Sequence, residues 1–227
     1  MGSDWDWELE VPEQPIGPAL RELFAVAAPL GLRPQRPDGL FNLWADGGMR
    51  TVASVDEVIT VLAAGWSHSQ LWTGDTDIWL SCFSGAGREM RPGLVLGSGF
   101  LLCWSLGSGI HRRPVPEAAA FRQLHGRLTR LWLDVAQRLG AGQGRVEDEW
   151  SVEQAGDEPQ VGWWRYLGPG RDLPFPPTPE MVVEELPGGA RLIRLLDDPA
   201  AVDALRYAAI HERWRDSVGS GGDLDHP

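Results

Sequence analysis

Tryptophan constrains the fold of this chain more than any other residue, because 12 of its 227 residues are tryptophan. The set spans the sequence: Trp5, Trp7, Trp44, Trp66, Trp72, Trp79, Trp104, Trp132, Trp150, Trp163, Trp164 and Trp214. Each side chain carries a large apolar surface and one N–H donor that needs a partner when buried. All 20 basic residues are arginine. Tryptophan and arginine are enriched at binding hot spots, so this composition favours a protein that presents binding surfaces over one that carries out chemistry.

The net charge of −12 restricts the partners that the chain can bind. Phosphate binding needs a basic surface, so a nucleic-acid partner is not expected, whereas an acidic protein attracts a basic protein partner. The longest apolar stretch, residues 93–106, is too short to span a bilayer, and no membrane contact is expected. Because the first residues carry no secretory signal and Cys82 and Cys103 are too few for a disulfide framework, we expect buried reduced thiols and a cytoplasmic location.

The periodicity of apolar residues predicts both helices and strands. Helical spacing predicts helices over residues 18–30, 54–65, 116–139 and 199–214. Ser54 is expected to cap the second helix and Asp198 to start the fourth. Apolar runs bounded by turn residues predict strands over residues 40–45, 70–73, 77–83, 94–106, 145–152, 161–167, 181–186 and 191–196. Residues 1–14, which are acidic and contain proline, are expected to form an irregular arm.

Two of these elements predict how the chain packs. The Pro-Gly-Gly sequence at 187–189 favours an antiparallel hairpin between strands 181–186 and 191–196. The long helix has one apolar stripe that must be buried: Phe121, Leu124, Leu128, Leu131, Val135 and Leu139. We therefore predict a single α+β domain over residues 1–216, with a mainly antiparallel or mixed sheet and helices packed on it. Residues 217–227 are expected to form a disordered tail.

The sequence contains no motif for catalysis, for a cofactor or for a metal. None of the five histidines has the spacing of a metal site. His125 is expected to be solvated or locally hydrogen-bonded, and His211 to act as a cation near the end of the last helix. There is no Gly-x-Ser-x-Gly motif, and the glycine-rich residues 140–144 follow a helix instead of opening one, as a phosphate-binding loop would. We therefore expect no catalytic residue, no cofactor and no metal ligand.

An acidic run over residues 147–158 is the remaining candidate for function, because it contains six carboxylates and no basic residue. Such a run is either a solvated face or a docking surface for a basic protein. The second interpretation predicts a partner-binding surface made of the run and two adjacent aromatic residues. Its predicted members are Glu147, Asp148, Glu149, Trp150, Glu153, Asp157, Glu158 and Trp163.

The last third of the chain resembles a known family. The segment Val161-Gly162-Trp163-Trp164-Arg165-Tyr166-Leu167 is followed by a Leu-Pro step at 173–174, the strand residues 182–184, the Gly-Gly turn at 188–189, the pair 192–193 and a final helix containing Ala209-Ile210-His211. Earlier features also fit, namely Trp72-Thr73-Gly74, Cys82 and Trp150. This pattern is similar to the Immunity protein 52 family, the antidotes found beside polymorphic toxins. The glycine-rich stretch 97–109 and the proline-rich stretch 173–179 depart from it.

The resemblance implies an α+β protein that binds and neutralises a cognate toxin without catalytic residues. Two other interpretations stay open from the sequence. The chain could be an enzyme or a small-ligand-binding protein with a pocket lined by tryptophan, in which case a carboxylate with a perturbed pKa should lie beside the pocket. It could also be a scaffold that depends on a partner and inhibits nothing.

Overall fold

The computed structural model describes residues 3–45, 47–64, 67–73, 77–84, 89–91, 94–95, 99–108, 115–156, 162–173 and 178–219. Its main feature is one ten-stranded antiparallel sheet, with the strand order β11-β12-β10-β9-β1-β8-β5-β4-β2-β3. The bounds are β1 Ser3–Val11, β2 Phe41–Ala45, β3 Gly48–Val52, β4 Ser67–Trp72, β5 Asp77–Ser84, β8 Phe100–Ser108, β9 Gln143–Asp148, β10 Trp164–Leu167, β11 Val182–Glu185 and β12 Arg191–Arg194. Strands β6 (Glu89–Arg91) and β7 (Leu94–Val95) form a separate two-stranded ribbon.

The helices are α1 (Ile16–Ala27), α2 (Val55–Ala63), α3 (Val115–Leu139), α4 (Glu149–Ala155) and α5 (Ala204–Gly219). The predicted α+β class with an antiparallel sheet is thus confirmed. Within the described residues, no helix is both long and apolar enough to cross a bilayer.

Strand β1 corrects the prediction of an irregular arm over residues 1–14. It lies in the middle of the sheet, between β8 and β9. Its tryptophan, leucine and valine side chains are buried on one face and alternate with carboxylates on the other, namely Asp4, Asp6, Glu8 and Glu10. An alternation with period two is the pattern of a strand whose two faces differ, and the high acidic content concealed it.

Helices α1, α2 and α3 cover one face of the sheet, which we call the back face. Helix α3 lies on β1, where the Trp132 indole N–H donates to the Glu8 carbonyl oxygen at 2.8 Å and the Trp7 indole N–H donates to Thr129 Oγ1 at 3.1 Å. The predicted apolar stripe of α3 is buried along its whole length, as expected. On α2, Ser54 Oγ accepts from the Asp56 N–H at 3.1 Å, which confirms the predicted cap.

Two glycines are required by close contacts at the sheet. Gly99, with φ of 87°, precedes β8, and a Cβ atom there would lie 2.0 Å from the Val11 carbonyl oxygen. The predicted strand 94–106 corresponds to two strands in different sheets, β7 in the ribbon and β8 in the main sheet. Gly144 lies opposite Leu9 under α3, and its Cβ would lie 2.6 Å from the Glu8 carbonyl oxygen and 3.0 Å from the Trp132 ring. Gly144 therefore allows Trp132 to approach β1 closely.

The C-terminal part of the chain contains the predicted hairpin, but its last helix begins and ends later than predicted. β11 and β12 pair antiparallel, as expected. Helix α5 begins at Ala204, because Asp198 forms a turn by accepting from the Ala200 N–H at 3.0 Å, and Asp203 caps the helix. α5 packs on α4, which in turn contacts β1 and β9. The helix continues to Gly219 into the predicted tail, whose residues 220–227 lie outside the described part.

Candidate functional site

The face of the sheet opposite α1–α3, which we call the front face, carries a continuous row of cross-strand neighbours through all ten strands. In spatial order from β3 to β11 the row is Met49, Trp44, His68, Ser81, Cys103, Glu8, Arg145, Arg165, Ile193 and Val183. Its chemistry changes along its length. The row is aromatic and apolar at β3 and β2, charged at β1, β9 and β10, and aliphatic at β12 and β11. The front face thus contains two chemically distinct regions, one charged and one aromatic.

The first region, the charged centre, consists of Asp6, Glu8, Arg145, Glu147 and Arg165. Arg145 Nε donates to Glu8 Oε2 at 2.8 Å and lies 3.5 Å from Glu147 Oε2. The three side chains are only 13%, 10% and 2% exposed. Removing one partner of such a buried ion pair strongly destabilises the folded protein, because the remaining charge is left buried without compensation.

Asp6 differs from the other carboxylates of the charged centre, because its described polar contact is with a hydroxyl group. Ser105 Oγ donates to Asp6 Oδ1, and Glu147 is the directly opposite residue on β9. The pKa of Asp6 is raised to about 7, mainly by burial and to a smaller extent by the nearby carboxylates of Glu8, Glu147 and Asp4, while the Ser105 hydrogen bond opposes the change. Burial likewise raises the pKa of Glu147, against the effect of Arg145.

The thiol of Cys103 lies in the same region without being activated. Its Sγ is 3.9 Å from Ser105 Oγ, and burial, followed by the charges of Asp6 and Glu8, raises its pKa. A raised pKa disfavours the thiolate, which is the nucleophilic form. Cys82 is also free, and burial raises its pKa to about 12. Both cysteines lie in strands as predicted, but only Cys82 is buried, whereas Cys103 is partly exposed.

The second region, the aromatic end, consists of Trp44, Met49, His68, Trp79 and Phe83. Trp44, Met49 and Trp79 are 40%, 58% and 36% exposed. His68 lies between them, with its ring edge-on to Trp79 at 6.5 Å and to Phe83 at 6.2 Å, and its Nδ1 is 2.5 Å from Ser81 Oγ. Burial lowers the pKa of His68, so the aromatic end is uncharged near neutral pH.

A chain of polar side chains fixes the strands beneath the aromatic end. Asn42 Nδ2 donates to Gln70 Oε1 at 2.5 Å, and both residues are buried. Arg36 Nη1 donates to Asn42 Oδ1 at 3.1 Å, while its guanidinium lies 5.9 Å from the centre of the Trp72 ring. Buried amide groups that are hydrogen-bonded to each other favour one strand register. These bonds therefore hold in register the strands that carry the exposed aromatic side chains.

The structure contradicts the predicted exposure of three partner-binding residues. Glu147 and Asp148 are buried, and so is Trp163. Asp148 is the capping residue of α4, where its Oδ1 accepts from the Ser151 N–H at 3.1 Å and its Oδ2 accepts from the Trp163 indole N–H at 2.8 Å. The error arose because the sequence predicted one strand over residues 145–152, whereas β9 ends at Asp148 and α4 begins at Glu149. Glu147 and Asp148 therefore lie in the sheet, while Glu149 and Glu153 lie on a helix surface.

Three other predicted residues remain on the surface. Glu149, Trp150 and Glu153 are exposed on α4, and we call them the α4 surface. Asp157 and Glu158 lie outside the described residues. Among the residues that the structure describes, the exposed part of the predicted docking surface is therefore confined to α4.

The histidines of the long helix and the last helix are both buried. His125 has the local hydrogen-bond partner that was one of its two predicted environments, because its Nδ1 lies 3.3 Å from Thr129 Oγ1. His125 is enclosed by the rings of Trp5, Trp7, Phe121 and Trp164, at centroid distances between 4.7 and 5.7 Å. Burial lowers its pKa to about 3, so it is neutral. His211 is buried within α5. In the described part of the chain, no group of three or more His, Cys, Asp or Glu residues could hold a metal ion.

Comparison of the sequence with family models and with curated proteins finds no match. The two regions of the front face must therefore be interpreted from their chemistry alone. Sequence reasoning missed both regions. A signal for the aromatic end was present in β5, because Trp79, Ser81 and Phe83 alternate along the strand and therefore share one face of the sheet.

Proposed function

We propose that this chain is an immunity-type binding protein that neutralises a cognate toxin by direct contact through the aromatic end. One observation carries the proposal. Seven large apolar side chains are exposed among the described residues, and three of them, Trp44, Met49 and Trp79, belong to the aromatic end, on β2, β3 and β5 with His68 of β4 between. Exposed apolar patches on a well-packed protein mark interaction sites.

The patch has the physical properties of a binding hot spot. Tryptophan and histidine offer a large contact area with few rotatable bonds, so little conformational entropy is lost when a partner docks. The polar chain of Arg36, Asn42 and Gln70 keeps the strands beneath them in register. The net charge of −12 favours a basic partner and accelerates its approach, while the uncharged aromatic end provides the contact that slows dissociation.

The α4 surface is a competing location for the same function. It combines Trp150 with Glu149 and Glu153, as the acidic docking hypothesis requires, but it contributes one large apolar side chain instead of three. The two locations make different predictions, and the chain offers a matched pair of residues to separate them. Trp44 and Trp150 are nearly equally exposed, at 40% and 42%.

The test measures binding kinetics of purified variants with the product of the adjacent gene. We expect Trp44→Ala and Trp79→Ala each to raise the dissociation rate constant by about 30-fold, the equivalent of ~2 kcal/mol for a central tryptophan. Trp150→Ala should leave it within about twofold. The reverse order of effects would place the contact on α4, and an absence of binding by the unmodified chain would contradict the proposed function.

A small-ligand site in the charged centre is the second candidate function. The observation that favours it is Asp6, whose pKa of about 7 suits a general acid or base near neutral pH. Native mass spectrometry of the purified protein tests this candidate. A bound small molecule that is retained by the unmodified chain and lost from Asp6→Asn supports it, whereas its absence from both samples leaves the binding-protein proposal as the better account.

A further inference from the structure

The main sheet ends at β11, whose outer edge pairs with no other strand among the residues that the structure describes. All four residues of this strand are exposed, although the neighbouring strand β12 contains the buried residues Leu192 and Ile193. Val182 and Val183 are 46% and 44% exposed, so β11 carries two of the seven exposed large apolar side chains of the described part. An exposed apolar edge strand is a template for pairing with another strand.

The hydrogen bonds of the β11–β12 hairpin determine which backbone groups of β11 point outward. The Leu186 N–H donates to the Ala190 carbonyl oxygen at 2.8 Å, just beyond the paired residues of the two strands. Because hydrogen-bonded pairs alternate along an antiparallel ladder, every second residue of β11 bonds to β12. Val183 and Glu185 are the alternate residues, so their N–H and C=O groups point away from the sheet. An added antiparallel strand must therefore bond to Val183 and Glu185.

Charge distinguishes the ways in which two copies of β11 can pair with each other. Two antiparallel registers join outward-pointing groups to each other and pair three of the four residues of each strand. The register centred on Glu184 places this residue directly opposite Glu184 of the second copy, where like charges repel. The register centred on Val183 places Val183 opposite its equivalent and Val182 opposite Glu184, so no two carboxylates of β11 are opposed. The strand is thus self-complementary in one register.

The same register extends the aliphatic part of the front-face row. Val183 follows Ile193 in that row, and Ile193 is buried whereas Val183 is not. Pairing about Val183 places four aliphatic side chains on neighbouring strands, namely Ile193 and Val183 of each copy. Cross-strand pairs of β-branched residues stabilise a sheet. Each copy therefore covers the valine that the other copy leaves exposed.

We propose that β11 is a self-association surface, at which two copies of this chain pair antiparallel about Val183 and join their sheets into one. The aromatic end lies on the strands at the opposite end of the sheet, so the inference is independent of the proposed function. A two-fold axis through the Val183 pair closes the assembly at two chains. The front faces of both copies then point to the same side, with one aromatic end at each end of the joined sheet.

Sedimentation of the purified full chain over a series of concentrations tests the association. We expect a reversible equilibrium between one chain and two. Val183→Lys should raise the dissociation constant of the dimer at least about tenfold, because it places two ammonium groups opposite each other on an edge strand. Met49→Lys makes the same change at an exposed residue of β3, the other edge strand, and is the matched control. It should leave the dissociation constant within about twofold of the unmodified value.

Cysteine cross-linking tests the register. In the proposed dimer the two Cα atoms at position 183 are about 5.5 Å apart, which a disulfide can span. Those at position 184 are offset by two residues along the strands and lie more than about 7 Å apart, beyond that range. Val183→Cys should therefore form a covalent dimer with oxidised glutathione, and Glu184→Cys should not. The unmodified chain, which contains Cys82 and Cys103, measures the background.

Several results would overturn the proposal. A chain that remains monomeric at every concentration would do so, as would a dimer that Met49→Lys dissociates and Val183→Lys does not. Assemblies that grow beyond two chains would indicate pairing of β11 with β3 of the next copy. Cross-linking through Glu184→Cys but not through Val183→Cys would contradict the register. If Val183→Lys does not fold, the two cysteine variants decide the question.

Discussion

On the back face of the sheet, Trp7, Trp104 and Trp132 are fully buried, whereas on the front face Trp44 and Trp79 remain partly exposed. The difference does not come from the strands themselves, because Trp104 of β8 and Trp79 of β5 belong to neighbouring strands. It comes from what covers each face. Helices α2 and α3 pack on the back face with α1 against them, whereas α4 contacts β1 and β9 and α5 packs on α4. The comparison teaches that tryptophan content alone does not separate buried positions from exposed ones.

The largest expected effect on stability comes from replacing a tryptophan that packs against the back face and comparing it with one on the front face. Trp132→Ala should lower the free energy of unfolding by about 3–5 kcal/mol, because it leaves a large cavity under α3 and removes the donor to the Glu8 carbonyl oxygen. Trp79→Ala should lower it by less than about 1 kcal/mol, because its side chain is already partly hydrated. Urea unfolding at fixed pH measures both values. Equal losses would mean that the front face is as tightly packed as the back face.

A second test compares a buried ion pair with an exposed one. Arg145→Ala should destabilise the protein by about 3–5 kcal/mol, because Glu8 and Glu147 are left buried without their cation. Arg122→Ala removes a well-formed pair with Asp198 at 2.7 Å, but both side chains are solvated and the loss should be much smaller. Thermal unfolding at neutral pH ranks the two variants. A larger loss for Arg122→Ala would contradict the assigned burial of the charged centre.

The smallest test concerns the space beneath α3. Gly144→Ala should destabilise the protein by about 1–3 kcal/mol, because the added Cβ meets the Glu8 carbonyl oxygen and the Trp132 ring. Gly126→Ala is the control within α3, since a Cβ there meets nothing within 4 Å, and alanine should stabilise the helix by up to about 1 kcal/mol. Chemical denaturation measures the free energy of unfolding of both variants. A decrease for Gly144→Ala with an increase for Gly126→Ala supports the close approach of α3 to β1, and no change in either variant would contradict it.

Sequence reasoning succeeded where a signal was local. The Ser54 cap, the apolar stripe of α3 and the β11–β12 hairpin each depend on residues close together in the chain, and all three were predicted. β1 was missed although its alternation is regular, because its acidic side chains resemble those of an exposed segment. Their environment is decided by β8 and β9, which are remote in sequence.

The candidate site was less predictable than the fold for the same reason. The α4 surface was identified from a local charge run, but Glu147 and Asp148 within that run are buried by contacts with β1, α4 and Trp163. The aromatic end joins residues of β2, β3, β4 and β5 through strand register, and a register cannot be derived from composition or spacing.

The central position of β1 also determines the order in which this chain can fold. Trp5 pairs with Leu106 on one side and with Asp148 on the other, so the middle of the sheet closes only through contacts between distant parts of the chain. During synthesis, β1 is made before either of its neighbours, because β8 begins at Phe100 and β9 at Gln143. Long-range pairing of this kind slows folding and leaves Trp5 and Trp7 accessible to chaperones in the meantime.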